Sequence, residues 1–248
     1  MVGAVPAAYV RHTRDAIVGA TPVGEPFRHL VIENFLHPDL YRALDALDLG
    51  DRLPARHATR PTHSSETLRF AIRVHPSVDW STFAGTPLPA LWATLTNAHV
   101  QNALIKAFAA EIVKRHGRQQ LRVSHAFEII EDRSGYALPP HTDTYHKLVT
   151  ALIYLPEPGA DEGLGTSIYT LADEARLPDR YSDNTRFDRS LFSIARTIPY
   201  RPNTALIFAP GRNTFHGVEP VDAGISRRLI QFQINRIMVD EPVEPAAS

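Results

Sequence analysis

Cysteine is absent from the 248 residues. That removes disulfides, thiol nucleophiles, iron–sulfur clusters and thiolate zinc sites from consideration. Any metal site has to be built from His, Asp or Glu, and there are 12 His to draw on. An excess of basic charge is missing as well: 26 Lys and Arg stand against 27 Asp and Glu, for a net charge of −1. No field of one sign exists to hold nucleic acid or an anionic membrane, so neither is an expected partner. Long hydrophobic runs are missing too, and stretches such as Ala205 to Ala209 fall far below a membrane-spanning length. Residues 1–20 carry Arg11, His12, Arg14 and Asp15 and no apolar run, so no targeting segment is read there and a cytoplasmic protein is expected. What remains is a chain with 44% hydrophobic and 21% charged residues, the balance of a soluble globular protein. Its length suits one domain, 1–248.

The chain shows no internal repeat and no low-complexity segment. Residues 1–119 read as a helical and extended support. His37-Pro38-Asp39 starts a helix, since Pro fits a first turn and Leu40, Leu44 and Leu47 then share one side; it ends near Gly50. A second helical region is expected from about Leu88 to His116, with Asn97 as a cap inside it and Gly117 as its stop. Its stripe of Leu104, Phe108 and Ile112 is read as core packing. From residue 120 to 238 the pattern is that of strands: Leu121 to Glu131, Lys147 to Leu155, Thr204 to Ala209, and a period-two run from Arg227 to Ile237. Helices followed by many strands predict an α+β, mainly β, fold with an antiparallel barrel or sandwich. The polar stretch 171–200 is long for a loop and reads as an insert or lid.

Pro139-Pro140-His141-Thr142-Asp143 lies between two of these strands. Residues i and i+2 of an extended chain share a side, so His141 and Asp143 can reach one metal. His216 is the candidate third ligand, in Phe215-His216-Gly217-Val218 after the strand ending near Ala209 and a turn at Gly211. Two imidazoles and a carboxylate on one face of an octahedral ion form the facial triad of non-haem Fe(II) oxygenases, with positions left open for other ligands. Eleven residues beyond His216 comes Arg227, then Arg228 and the strand Leu229 to Ile234. A cation fixed deep in a barrel can fork onto a carboxylate.

His141-x-Asp143, His216 and Arg227 together resemble the signature of the Fe(II)/2-oxoglutarate-dependent dioxygenases. The spacing and the Arg-Arg-apolar run are most similar to the phytanoyl-CoA and prolyl hydroxylase branches. The resemblance covers about residues 120–238. It implies a double-stranded β-helix (jelly-roll, cupin-like) core buttressed by N-terminal helices. It also implies His141, Asp143 and His216 as catalytic metal ligands for Fe(II), with 2-oxoglutarate as cosubstrate and O₂ as co-reactant. Tyr154 near the end of the strand after the His-x-Asp turn is the family's place for a partner of the distal carboxylate of 2-oxoglutarate. Gly163-Leu164-Gly165-Thr166 is similar to the turn that opens the next strand, although Leu164 splits glycines that the family often has side by side. In that fold the last strand has helices outside and cosubstrate inside. The mixed set Arg227, Leu229, Gln231 and Gln233 then lines the pocket, and the apolar set Arg228, Ile230, Phe232 and Ile234 packs on the helices. Arg227 is the expected carboxylate anchor, with Arg228 the alternative. Related halogenases have Gly or Ala in place of Asp143, so its presence favours hydroxylation or desaturation.

The activity implied is hydroxylation of a C–H bond of a small polar metabolite, such as an amino acid or a biosynthetic intermediate, with release of succinate and CO₂. A peptidyl (prolyl-type) hydroxylase and a cupin-like binding protein without turnover are the alternatives. His125 and His146 stay outside the catalytic set. Lys147 reads as a solvated strand start. The stretch from His57 to His75, with Arg60, His63, Arg69 and Arg73, either lines a substrate mouth or is solvated.

Overall fold

The computed structural model describes residues 5–47, 68–74, 80–118, 120–172, 176–178 and 185–237. Helix α1 (Ala7–Gly19) buries Val10, Thr13 and Ile17, one face at i, i+3 and i+7. Strand β1 (His29–Ile32) follows. Helix α2 (Pro38–Asp45) begins where Pro38 fits a first turn, with the His37 side chain accepting from Asp39 N at 3.3 Å. Leu40 and Leu44 are its buried residues. It stops at Asp45, short of the end expected near Gly50, and Gly50 itself lies outside the described residues. Strand β2 (Arg69–Val74) comes next.

The helical region expected from Leu88 to His116 is three helices, α3 (Leu88–Leu95), α4 (Ala98–Ala107) and α5 (Ala109–His116). Asn97 caps the start of α4, its side-chain oxygen accepting from His99 N at 3.0 Å. Phe108 breaks the last two helices at φ −122°, yet Leu104, Phe108 and Ile112 are all buried. Gly117 ends α5 at φ +78°, a conformation open to glycine.

The remaining strands are β3 (Val123–Arg133), β4 (Leu138–His141), β5 (Lys147–Tyr154), β6 (Ser167–Leu171), β7 (Phe192–Thr197), β8 (Ala205–Phe208), β9 (His216–Val218) and β10 (Ser226–Arg236). They form two antiparallel sheets, one of order β1-β8-β5-β10-β3-β2 and one of order β4-β9-β6-β7. From β3 to β10 the chain passes back and forth between the sheets, staying in the smaller one only from β6 to β7. This is the double-stranded β-helix, its larger sheet widened by β1 and β2. The stretch 171–200, read as one insert, is divided: β7 is a strand of the barrel, and residues 185–187 run beside the edge of β4.

Two apolar layers follow from strand alternation. Ile230, Phe232 and Ile234 of β10 pack with Leu88, Leu91, Leu95, Leu104 and Phe108 of the helices. Leu229 joins Leu152, Tyr154, Ile168 and Phe208 between the sheets. Strand β5 is covered on both faces, which explains its near-continuous apolar sequence. No helix among the described residues is long and apolar enough to cross a membrane.

Candidate metal centre and the buried arginines behind it

β4 and β9 pair so that His141 lies directly opposite His216, and opposed residues of an antiparallel pair project to one face. Gly217 allows this approach, because a Cβ there would overlap the Leu138 carbonyl oxygen of β4. Asp143 enters from the turn between β4 and β5. One ligand atom from each of His141, Asp143 and His216 lies within 4.8 Å of the others, and all three residues are buried. The two imidazole centroids are 4.3 Å apart. His141 Nδ1 donates to Pro139 O at 3.1 Å and His216 Nδ1 to Thr214 O at 2.9 Å. Each ring is held in the tautomer that leaves Nε2 with its lone pair, as a metal ligand requires.

Burial holds both imidazoles below their ordinary pKa, His141 well below, and the positive charge of Arg186 lowers both further. Burial pushes Asp143 the other way, but the Lys147 ammonium, through its charge and its hydrogen bond, leads the opposing influences and keeps the carboxyl well below the usual range. Neutral imidazoles beside an ionised carboxylate are the state that accepts a divalent cation. Lys147 Nζ donates to Asp143 Oδ1 at 2.5 Å, and Thr150 Oγ1 donates to Asp143 Oδ2 at 2.8 Å. Lys147 is therefore no solvated strand start: its side chain is 12% exposed and closes on the candidate ligand.

Arg227 faces the space between the sheets and is 1% exposed. Its Nε donates to Leu164 O at 2.5 Å, Nη1 to Asp132 Oδ2 at 2.8 Å and Nη2 to Thr166 Oγ1 at 3.3 Å. Arg69 grips the same carboxylate, Nε to Oδ1 at 2.6 Å and Nη2 to Oδ2 at 2.9 Å. Two guanidiniums share one buried carboxylate, so the cluster carries net positive charge away from water. Arg227's three bonds leave part of its fork of N–H groups for another acceptor. Tyr154 OH donates to Thr166 Oγ1 at 2.9 Å and accepts from Thr166 N at 3.1 Å, and its ring lies 5.8 Å from the Arg227 guanidinium. Burial raises the Tyr154 pKa, against the pull of Arg227. Arg228 points to the helical side, where Nη2 donates to Leu47 O at 3.0 Å.

Strand β5 links the two clusters. Thr150, on Asp143, and Tyr154, beside Arg227, are four residues apart on its inner face, or about 13 Å of strand. His125 stacks on Phe232 at 6.1 Å on the helical side, and His146 lies beside Thr144 outside the triad. Of the stretch from His57 to His75, Arg60, His63 and His75 lie outside the described residues. Arg73 pairs with Glu128 at 2.9 Å, and Arg69 belongs to the buried cluster.

No protein-family model matches the sequence. No curated protein matches it either. Solved structures do. A prolyl-4-hydroxylase from Pseudomonas putida is 17% identical, with 92% of this chain and 99% of that chain covered and a TM-score of 0.53. A prolyl 4-hydroxylase from Phytophthora capsici is 16% identical, with 96% and 72% covered and a TM-score of 0.54. The non-haem alpha-ketoglutarate-dependent epimerase SnoN from nogalamycin biosynthesis is 13% identical, with 93% and 84% covered and a TM-score of 0.52. At these identities the likeness is one of fold.

Proposed function

We propose that this chain is an Fe(II)- and 2-oxoglutarate-dependent oxygenase that hydroxylates a C–H bond of a small polar metabolite, such as an amino acid or a biosynthetic intermediate. The observation that carries this reading is the convergence of two imidazoles and one carboxylate at the rim of the barrel, with a buried arginine further in. When bound, iron, 2-oxoglutarate and O₂ supply the oxidising chemistry, and succinate and CO₂ are released.

The chain's own residues do the positioning. His141, Asp143 and His216 would hold the iron. The carbonyls of Pro139 and Thr214 keep both rings turned, while Lys147 and Thr150 keep the Asp143 carboxylate aimed. The remaining N–H groups of Arg227 would receive the distal carboxylate of 2-oxoglutarate, with Tyr154 and Thr166 at its side. Leu152, Ile168, Leu206, Phe208 and Leu229 form an apolar wall that excludes water.

A peptidyl hydroxylase would use the same metal face, a reading supported by the two prolyl hydroxylases among the similar folds. The run of residues 185–187 along β4 supports the smaller substrate. Anaerobic addition of Fe(II) and 2-oxoglutarate tests the chemistry. A weak visible charge-transfer band is expected and should be absent in His141→Ala. A colourless mixture in the parent protein sinks the reading and leaves a cupin-like binding protein. Succinate release across metabolites and a prolyl peptide then identifies the substrate class.

A further inference from the structure

One part of the metal face comes from outside the eight barrel strands. Arg186 forms an antiparallel bridge with His141, and Phe187 N donates to Pro140 O at 2.9 Å. That bond flanks the bridge, so His141 and Arg186 are a non-hydrogen-bonded pair, the kind whose side chains stand closer. Directly opposed residues project to the same face. His141 lies opposite His216, which lies opposite Ile168. Arg186, His141, His216 and Ile168 therefore form one row across the inner face of the smaller sheet. Arg186 is half-buried, and its charge bears on both imidazoles.

The segment is tightly held. Phe187 turns to the opposite face and is buried against Phe215 at 5.7 Å and Phe192 at 5.9 Å. Arg189 Nη1 donates to Glu219 Oε1 at 2.6 Å, and Nη2 donates to Val218 O at 2.6 Å and Leu138 O at 3.2 Å. Those two carbonyls belong to β9 and β4, the strands that carry the imidazoles. Arg186 is thus fixed relative to the triad.

We propose that Arg186 anchors the substrate through an oxyanion, a carboxylate or a phosphate, and so determines which carbon of a small anionic molecule faces the metal. The proposal names a substrate class within the oxygenase reading and rests on it for the reaction, not for the binding. A planar guanidinium accepts either oxyanion through two parallel N–H bonds. Arg227, the anchor proposed for 2-oxoglutarate, is on the larger sheet, so the two anions do not share a cation.

The test titrates the full chain with small carboxylates and phosphate monoesters, each paired with its primary amide or dephosphorylated form. Binding is measured by calorimetry, without metal and with Zn(II). Acids or phosphates should bind and their neutral partners should not, and the two arms separate the two oxyanions. Affinity should drop about 10- to 100-fold in Arg186→Gln and recover in part in Arg186→Lys. Melting curves of both variants check the fold. Arg227→Ala should weaken 2-oxoglutarate binding instead. Equal binding of the neutral forms, unchanged acid binding in Arg186→Gln, or no binding at millimolar concentration overturns the proposal. So does a loss confined to 2-oxoglutarate in Arg186→Gln, which moves Arg186 to the cosubstrate. Acid binding that depends on Arg186 without a charge-transfer band removes the oxygenase reading and keeps the anion site. The opposite result removes the anchor and keeps the oxygenase.

Discussion

Buried imidazoles on the inner side of the barrel meet two fates. His141 and His216 give Nδ1–H to a carbonyl and turn Nε2 toward a common point. His29 makes the same Nδ1 bond, to Phe27 O at 2.8 Å, but its Nε2 has no hydrogen-bond partner among the described residues. Burial holds the His29 pKa below 6.5, so the folded protein keeps it neutral where the unfolded chain takes up a proton. The unfolded state then binds more protons below that pH, and stability falls on acidification. His29→Leu removes this titration. The urea midpoint of the variant relative to the parent should rise on going from about pH 7.5 to about pH 5. An identical gap at both pH values would show that His29 does not contribute. At this scale the three triad candidates were legible, because a His-x-Asp pair and a distant His are patterns of residue type. That Arg227 turns inward and Arg228 toward the helices was legible as strand parity. Lys147 and Arg69 were not: a lysine at a strand start looks solvated, and Arg69 meets Asp132 only through the pairing of β2 with β3. Arg186 was passed over inside a polar stretch for the same reason.

Elements were legible where they carry their own punctuation. Pro38 opens α2, Asn97 opens α4 and Gly117 closes α5. The break at Phe108 escaped notice because the apolar stripe runs through it without interruption, so burial alone does not mark a helix end. β7 was hidden inside a polar stretch, since four successive residues of it are exposed and only Phe192 is buried. Gly217 shows how one element depends on another. With alanine there, β9 must move off β4, and His216 moves away from His141. Gly217→Ala is expected to cost about 1–3 kcal/mol in stability. It should weaken divalent metal binding in calorimetry more than Gly211→Ala, where an added Cβ meets the Thr214 side chain at 3.5 Å. Equal metal affinity in the two variants would show that the β4–β9 approach does not set the triad.

For the whole molecule, the α+β class and a barrel of antiparallel strands were legible from the change of period near residue 120. The strand order was not, because nothing local tells β1 that it will lie beside β8 or β2 that it will lie beside β3. Both sheets meet at the triad, with two candidate ligands on strands of the smaller sheet and the third steadied by Thr150 of the larger. A bound divalent ion should therefore stabilise the entire fold. At about 100 times its dissociation constant, Mn(II) should add about 2.7 kcal/mol, or about 5–10 °C in melting temperature. The gain should disappear in His141→Ala. A melting temperature indifferent to Mn(II) in the parent would mean that the three side chains do not act as a ligand set.

The smaller sheet has one margin occupied by its own chain, where residues 185–187 lie against β4, and one margin formed by β7. On β7, Ile194 is 51% exposed, and the nearby Arg196 is exposed too. An approaching strand would meet β7 first, and there the positive charge of Arg196 discourages self-association. The margin nearest His141 already carries residues 185–187 of its own chain.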